Sequence, residues 1–403
     1  MTRPLGSTAV HPLLMGVLQG AAPSALRPLL PKPGGWAPIL DDAVRHGLTP
    51  LLSRWLKTAD PDPPPPPRLT ERLDADALGT AARNLLLSAE LAGILRTFED
   101  ERLPCVPVRG PALAEELYGD VTARPMGDLD LLVRRDDLAR AAAALGRLGF
   151  RRLDRRPGFA ELFSYTLVLV KERHGWIVVE PHWTIAYPPF ADAIDMAAVW
   201  QRCARGRVVG VETWRLGRED LLLHLGLHLM HPDDGAPLLW FYEFDRLLRA
   251  ERGGIDWSRV VATAETAGVA GLLADGFGQV KALFGTPIPD DVLRRLRGRP
   301  ARRHRHGPGR GLTAAAGAAG REELALFFAL RGVRLKLRYA LGLLFPCRRY
   351  MRIQYGVTGA RALGCAYARR CCRLAWAGLK GTARLLGLGA RPRPAAPGTQ
   401  PTA

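Results

Sequence analysis

The sequence predicts an α+β protein, with one small mixed sheet and its helices embedded in mostly helical N- and C-terminal segments. Two observations carry this reading. Apolar residues recur at helical spacing through most of the chain, but from Pro104 to about residue 189 short apolar runs with strand character alternate with helix-length stretches. The 403 residues are 47% hydrophobic and 24% charged, an ordinary globular balance that allows a sizeable core and more than one structural unit.

The elements follow in order. Residues 1–59 form a helical segment, in which "DDAVRHGLTPLLSRWLK" has the clearest periodicity. Residues 60–68, "DPDPPPPPR", read as a polyproline linker. Residues 69–103 read as one long helix or two abutting ones, with Leu87, Leu91, Ile94, Leu95 and Phe98 on one stripe. The α/β block, 104–189, opens with the strand "CVPVRG" and the helix "PALAEELYGD", where Pro111 suits a first turn. A strand from Asp128 to Arg134 follows, then a helix capped by Asp136 or Asp137. Residues 165–171 and 176–183 complete the block as strands turning at His174-Gly175. Residues 190–289 read as helical, 290–320 as an Arg/Gly-rich flexible connector, 321–388 as basic helix and 389–403 as a disordered tail.

Charge is divided unevenly along this plan. The whole chain carries +18, yet residues 290–403 hold 24 basic and 4 acidic residues while the rest is nearly neutral. A uniformly basic nucleic-acid coat protein is thereby excluded, and any polyanion-binding role falls on the C-terminal quarter. Docking there on a polyanion or an anionic membrane surface is one expectation, prompted by "RGVRLKLRYALGLLF", which mixes cations with an apolar face. A basic helical cap is the other. Because 51 of the 57 cations are Arg, in a chain rich in Ala, Gly, Leu and Pro, part of the basicity reflects a GC-rich coding bias. No run approaches the ~20 apolar residues of a membrane span. The six cysteines show no zinc spacing, and a cytoplasmic location, peripheral to the membrane if the basic quarter docks, is expected.

The carboxylates carry the chemistry. In "RPMGDLDLLV", Asp128 and Asp130 are two apart on a strand and share a face roughly 6–7 Å apart at the backbone. Leu129, Leu131 and Val133 anchor the other face, and Gly127 leaves room for a ligand. Two like charges so placed repel unless a cation lies between them, and Mg²⁺ suits such hard oxygen donors shared with substrate phosphates. In "VVEPHW", Glu180 and His182 share a strand face about fifty residues on, so adjacent strand ends bring Glu180 beside the aspartates. In "VRGPALAEELYGD", a strand ends at Arg109-Gly110 where a helix begins, a natural phosphate seat, and Arg109 and Arg124 either pair with phosphate or neutralise the acids. His224, His228 and His231 lie on an otherwise apolar helix and read as packed histidines in preference to metal ligands, while of Glu243 and Asp245 in "WFYEFDRLL" Asp245 reads as a surface salt bridge in preference to a residue reaching the substrate side.

These motifs, in this order and spacing, resemble the bacterial nucleotidyltransferase family of polymerase-β-like proteins with a minimal palm, whose members often accompany polysaccharide or natural-product gene clusters. The likeness extends through "RHGLTPLL" and "LLWFYEFDRLL", covering roughly residues 10–285. It implies a nucleotidyltransferase palm at 104–189. Asp128, Asp130 and Glu180 would be the catalytic carboxylates of a two-metal Mg²⁺ site, with His182 auxiliary. Arg109, Gly110, Arg124 and Gly127 would bind the nucleotide. The implied reaction moves a nucleoside monophosphate from an NTP to an acceptor. Arg109-Gly110 stands where the wider superfamily has Gly-Ser, and this departure keeps open a catalytically inactive palm that binds a nucleotide or a partner.

Overall fold

The computed structural model describes residues 10–31, 35–61, 64–188, 190–231, 236–250, 254–298, 326–327, 330 and 332–385, the side chains of the last segment as far as Leu374. The chain divides into two compact units, Met1–Arg305 and His306–Ala403.

In the first unit, five strands form a mixed sheet: β1 (Cys105–Pro107), β2 (Leu129–Val133), β3 (Arg151–Arg152), β4 (Leu169–Glu172) and β5 (Trp176–His182), in the order β1-β2-β5-β4-β3. Strands β2 and β5 are parallel neighbours in register Asp130 with Glu180 and Leu132 with His182, and the remaining pairs are antiparallel. The alternation of β2 decides which core each side chain joins. Leu129, Leu131 and Val133 pack with Leu87, Leu91, Ile94, Leu95 and Phe98 of the long helix and with Ala141 and Leu145 of the helix Leu138–Arg147. Leu132, on the opposite face, joins the larger core of the helices Arg218–Leu229, Leu238–Ala250 and Ala270–Phe284. Asp130, Glu180 and His182 therefore point toward the helical layer.

Several expectations need correcting. Residues 190–289 are not wholly helical: β6 (Ala204–Val208) and β7 (Val211–Arg215) make a hairpin turning on Val209 and Gly210, both at positive φ. Its sequence alternates with a period of two, but the flanking helices dominate a longer window. The hairpin braces the α/β block, since Thr213 Oγ1 donates to the Cys105 carbonyl at 2.8 Å and Val209 N–H donates to the Glu115 carboxylate. The proline run yields to helix sooner than read, because Pro66 is the N-cap and Pro67 begins a single 34-residue helix ending at Asp100. Strand β4 begins at Leu169, four residues late, with Thr166 making one isolated bridge to His182. Asp137 precedes Leu138–Arg147 but bonds Arg140 at 2.7 Å in place of the backbone. The connector's first residues are the helix Asp290–Arg297, held by buried Val292, Leu293 and Leu296. Residues 299–320 of that connector and the tail lie outside the described residues.

The loop that delivers Asp128 is fastened from behind by Asn84, fully buried on the long helix. Its Nδ2 donates to the carbonyls of Val121, at 2.8 Å, and Arg124. Asn84→Ala strips both bonds from a buried site and should cost about 1–3 kcal/mol. Equilibrium urea unfolding measures this, and an unchanged midpoint would show that the loop holds without Asn84.

The second unit contains the helices Val333–Leu344, Arg348–Tyr355 and Ala360–Leu385. Met351, Leu363 and Ala366 form its small core with Tyr350, Tyr355, Val357 and Tyr367 packed around them.

Candidate active site

The site begins with two backbone facts. Strand β1 leads through Val108 to Arg109 and Gly110, where φ is +55° and the helix Gly110–Tyr118 starts at once with Pro111 in its first turn. Only glycine adopts that φ without strain, and a Cβ there would also sit 3.5 Å from the Asp128 carbonyl. The helix start has no side-chain cap, so its first-turn N–H groups are left uncapped by any side chain. Gly127 is exposed with nothing near the space a Cβ would fill.

Around this turn the charged groups converge. Arg109 Nη2 pairs with Asp130 Oδ1 at 2.7 Å, and His182 Nε2 lies 2.9 Å from the same oxygen and 3.8 Å from Glu180 Oε2. One donor atom from each of Asp130, Glu180 and His182 falls within a 4.8 Å span, close enough to hold a metal ion. On its far side Arg109 Nη1 sits against the His228 ring, 2.9 Å from Nδ1, and that ring packs against Trp240 with centroids 3.9 Å apart and the planes tilted by 34°. His224, one turn earlier, donates from Nδ1 to the Ile185 carbonyl at 2.9 Å.

Electrostatics separates the three carboxyls. Burial works against ionising Asp130, but Arg109 and His182 outweigh it and hold its pKa well below the usual carboxylate range. Asp128 goes the other way, raised first by burial and then by the negative charge of Asp130. Glu180 is pushed up to about 7, chiefly by burial and further by the two aspartates, with His182 opposing. Burial lowers the Arg109 pKa, and the charges of Asp130 and Asp128 overturn that and keep the guanidinium protonated. The histidines behind it are neutral bases: burial, then Arg109, lowers His224 to about 4 and drives His228 far down as well.

Because Asp130 is ionised, the hydrogen between it and His182 belongs to Nε2. In neutral His182 this leaves Nδ1 a bare lone pair, buried and without a hydrogen-bond partner. An Nε2 that donates to Asp130 cannot also ligate a cation, so His182 is either the orienting donor of Asp130 or, after a tautomer switch, a ligand. The two carboxylates abreast on β2 and β5, with Asp128 close enough to perturb both, fit a hard divalent cation. Two carboxyls kept from ionising freely by burial and mutual repulsion are what such a charge would relieve.

The family model described as an uncharacterised nucleotidyltransferase matches residues 32–285. The chain belongs to this family. No curated protein and no solved structure matches it. The matched stretch of this family member contains every residue of the site, and the α+β architecture with its mixed five-stranded sheet is consistent with a nucleotidyltransferase-like fold.

Of the residues singled out from the sequence, Asp130, Glu180, His182 and Arg109 come together, with Asp128 and Gly110 beside them. Arg124 does not join them. Its Nε pairs with Glu243 Oε1 at 2.6 Å, both side chains are buried, and Nη1 lies 3.4 Å from the Gly110 carbonyl, so it braces the turn from behind. Asp245 is no surface salt bridge: it is buried, accepting from Thr286 Oγ1 at 2.6 Å as well as from Arg249. His228 is the contact that sequence reasoning missed. The His224/His228 spacing was visible on an apolar helix, and both rings are indeed packed, but nothing local indicates that one backs Arg109.

Proposed function

We propose that residues 104–189 form a Mg²⁺-dependent nucleotidyltransferase palm that moves a nucleoside monophosphate from an NTP to an acceptor, in the setting of polysaccharide or natural-product assembly that the family resemblance suggests. The observation that carries the reading is the in-register pairing of Asp130 with Glu180 beside an uncapped helix start at Gly110. Asp130 and Glu180, with Asp128, would hold the cation, and Gly110 with the first-turn N–H groups would seat a phosphate. When bound, Mg²⁺ supplies charge that polarises the α-phosphate and activates the acceptor hydroxyl. His182 fixes the Asp130 carboxylate, and Arg109 is placed to pair with phosphate once Asp130 takes another partner. The acceptor oxygen forms the new P–O bond as the bond to the leaving pyrophosphate breaks.

Titrating ATP, GTP, CTP and UTP with Mg²⁺ and measuring pyrophosphate release from the wild type and Glu180→Ala tests the reading. Release by the wild type and at least a hundredfold loss in the variant is expected, following the usual cost of removing one charge-stabilising group. Equal rates would remove Glu180 from the site.

A second reading has its own observation. Arg109 already supplies Asp130 with a positive charge, as a palm that binds without turnover would require. Metal-dependent nucleotide binding with no pyrophosphate release across many acceptors would favour it.

The raised Glu180 pKa makes the site pH-dependent. An acid whose folded pKa exceeds its unfolded value adds stability below the unfolded value and loses it as pH rises through about 7. Cation affinity runs the opposite way, since only ionised Glu180 is a good ligand. Mn²⁺ titration calorimetry should find affinity about tenfold higher at pH 8 than at pH 6 from this one group. A flat profile would show that Glu180 is not a ligand.

A further inference from the structure

We propose that the helix Val333–Leu344 docks the protein on an anionic lipid bilayer surface, lying in the plane of the headgroups. This is independent of the nucleotidyl-transfer reading. Val333, Leu337, Leu341 and Phe345 are 73%, 57%, 48% and 47% exposed. They recur every four residues, so they form one line along the helix and its C-cap. Arg334 and Arg338, also exposed, border that line on one side. The opposite side is engaged within the unit: Tyr339 is buried, Arg370 Nε donates to the Leu343 carbonyl at 2.6 Å, and the Tyr367 hydroxyl donates to the Pro346 carbonyl. Among the described residues, Val333, Leu337 and Leu341 thus stay exposed on the side of the helix away from these contacts.

Charge selects the occupant. Residues 332–385 carry twelve Lys and Arg and no Asp or Glu. A second copy of the same surface would be repelled. A nucleic acid would satisfy the cations but leave the aliphatic line in water. An anionic bilayer satisfies both, with Val333, Leu337, Leu341 and Phe345 at the acyl boundary and the arginines among the headgroups. The geometry agrees, because twelve helical residues span about 18 Å against a hydrocarbon core of about 30 Å, so the helix lies in the surface and does not cross it. No described helix is long and apolar enough to cross a membrane.

Co-sedimentation of the full chain with phosphatidylcholine vesicles, with and without 30% phosphatidylserine, tests this at low salt. The wild type should pellet with the anionic vesicles and stay behind with the neutral ones. Leu337→Asp combined with Leu341→Asp should lower partitioning at least about tenfold, from the apolar burial that is lost. Arg334→Gln and Arg338→Gln should lower it about fivefold each. All four positions are exposed, and circular dichroism checks that the helices survive. Failure of the wild type to pellet overturns the proposal. So does equal pelleting of the Leu337/Leu341 variant, and so does retention on a single-stranded RNA column that is insensitive to those leucines while vesicles retain nothing.

Discussion

Asp130→Asn should lower pyrophosphate release about a thousandfold, because the substitution removes the only carboxylate that Arg109 and His182 hold fully ionised. The same change has a second, separable effect. Arg109 is 17% exposed and Asp130 is 2% exposed at the side chain, so the variant leaves a largely buried guanidinium facing a neutral amide. Breaking such a pair costs about 3–5 kcal/mol, and the remaining charge of Asp128 nearby brings the expectation to the lower end of that range. Urea unfolding reads the stability and a coupled phosphate assay reads the turnover. Asp130→Asn combined with Arg109→Met should recover most of the stability and none of the turnover, since it removes the stranded charge without restoring the carboxylate. A double variant that regains activity would place the chemistry elsewhere.

The second large effect belongs to the brace behind the site. Arg124→Met leaves Glu243, 3% exposed at the side chain, with the Tyr118 hydroxyl at 3.3 Å and the charge of Arg246 in place of its direct ion pair. A loss of about 3–5 kcal/mol is expected at pH 8. Burial already raises the Glu243 pKa despite Arg124, and removing the cation raises it further. An acid shifted upward loses stability as pH rises through its folded pKa, so the penalty should shrink by pH 5, where Glu243 can take a proton. Unfolding midpoints at the two pH values measure the difference. Nucleotide affinity of the folded variant should be unchanged. A weaker affinity at an unchanged midpoint would instead assign Arg124 to phosphate contact.

What was legible in the sequence divides by the range of the interaction. The alternation from Leu129 to Val133, the His174-Gly175 turn and the long helix each leave a local period or a turn residue and each has its counterpart in the fold, whereas Asp128, read as the first residue of that strand, precedes it. The approach of Glu180 to Asp130 follows from the length of chain between their two strands, and the parallel register of β2 with β5 sets the two residues abreast. The β6–β7 hairpin left a weak local signal, five residues a side, overridden by the helices around it. The partners of the two arginines left none. Arg109 meets His228 and Arg124 meets Glu243 across more than a hundred residues, and a charge on a loop is compatible with a phosphate, a carboxylate or an imidazole until packing chooses. That choice is made by burial, which turns Arg124 into a brace and leaves Arg109 at the site.

The parallel pairing of β2 with β5 also has a kinetic consequence. Asp130 and Glu180 are brought abreast only when the chain has run from Val133 out through the helix Leu138–Arg147 and the β3–β4 edge and has returned at Trp176. Closing that crossover is a non-local step, entropically slower than forming either flanking helix. A nascent chain ending before β5 thus carries Asp128 and Asp130 without Glu180 and His182, so the group that could hold a metal ion is complete only once the central strand slots home. Metal-dependent protection of β2 amides during refolding would therefore mark the moment at which the palm closes.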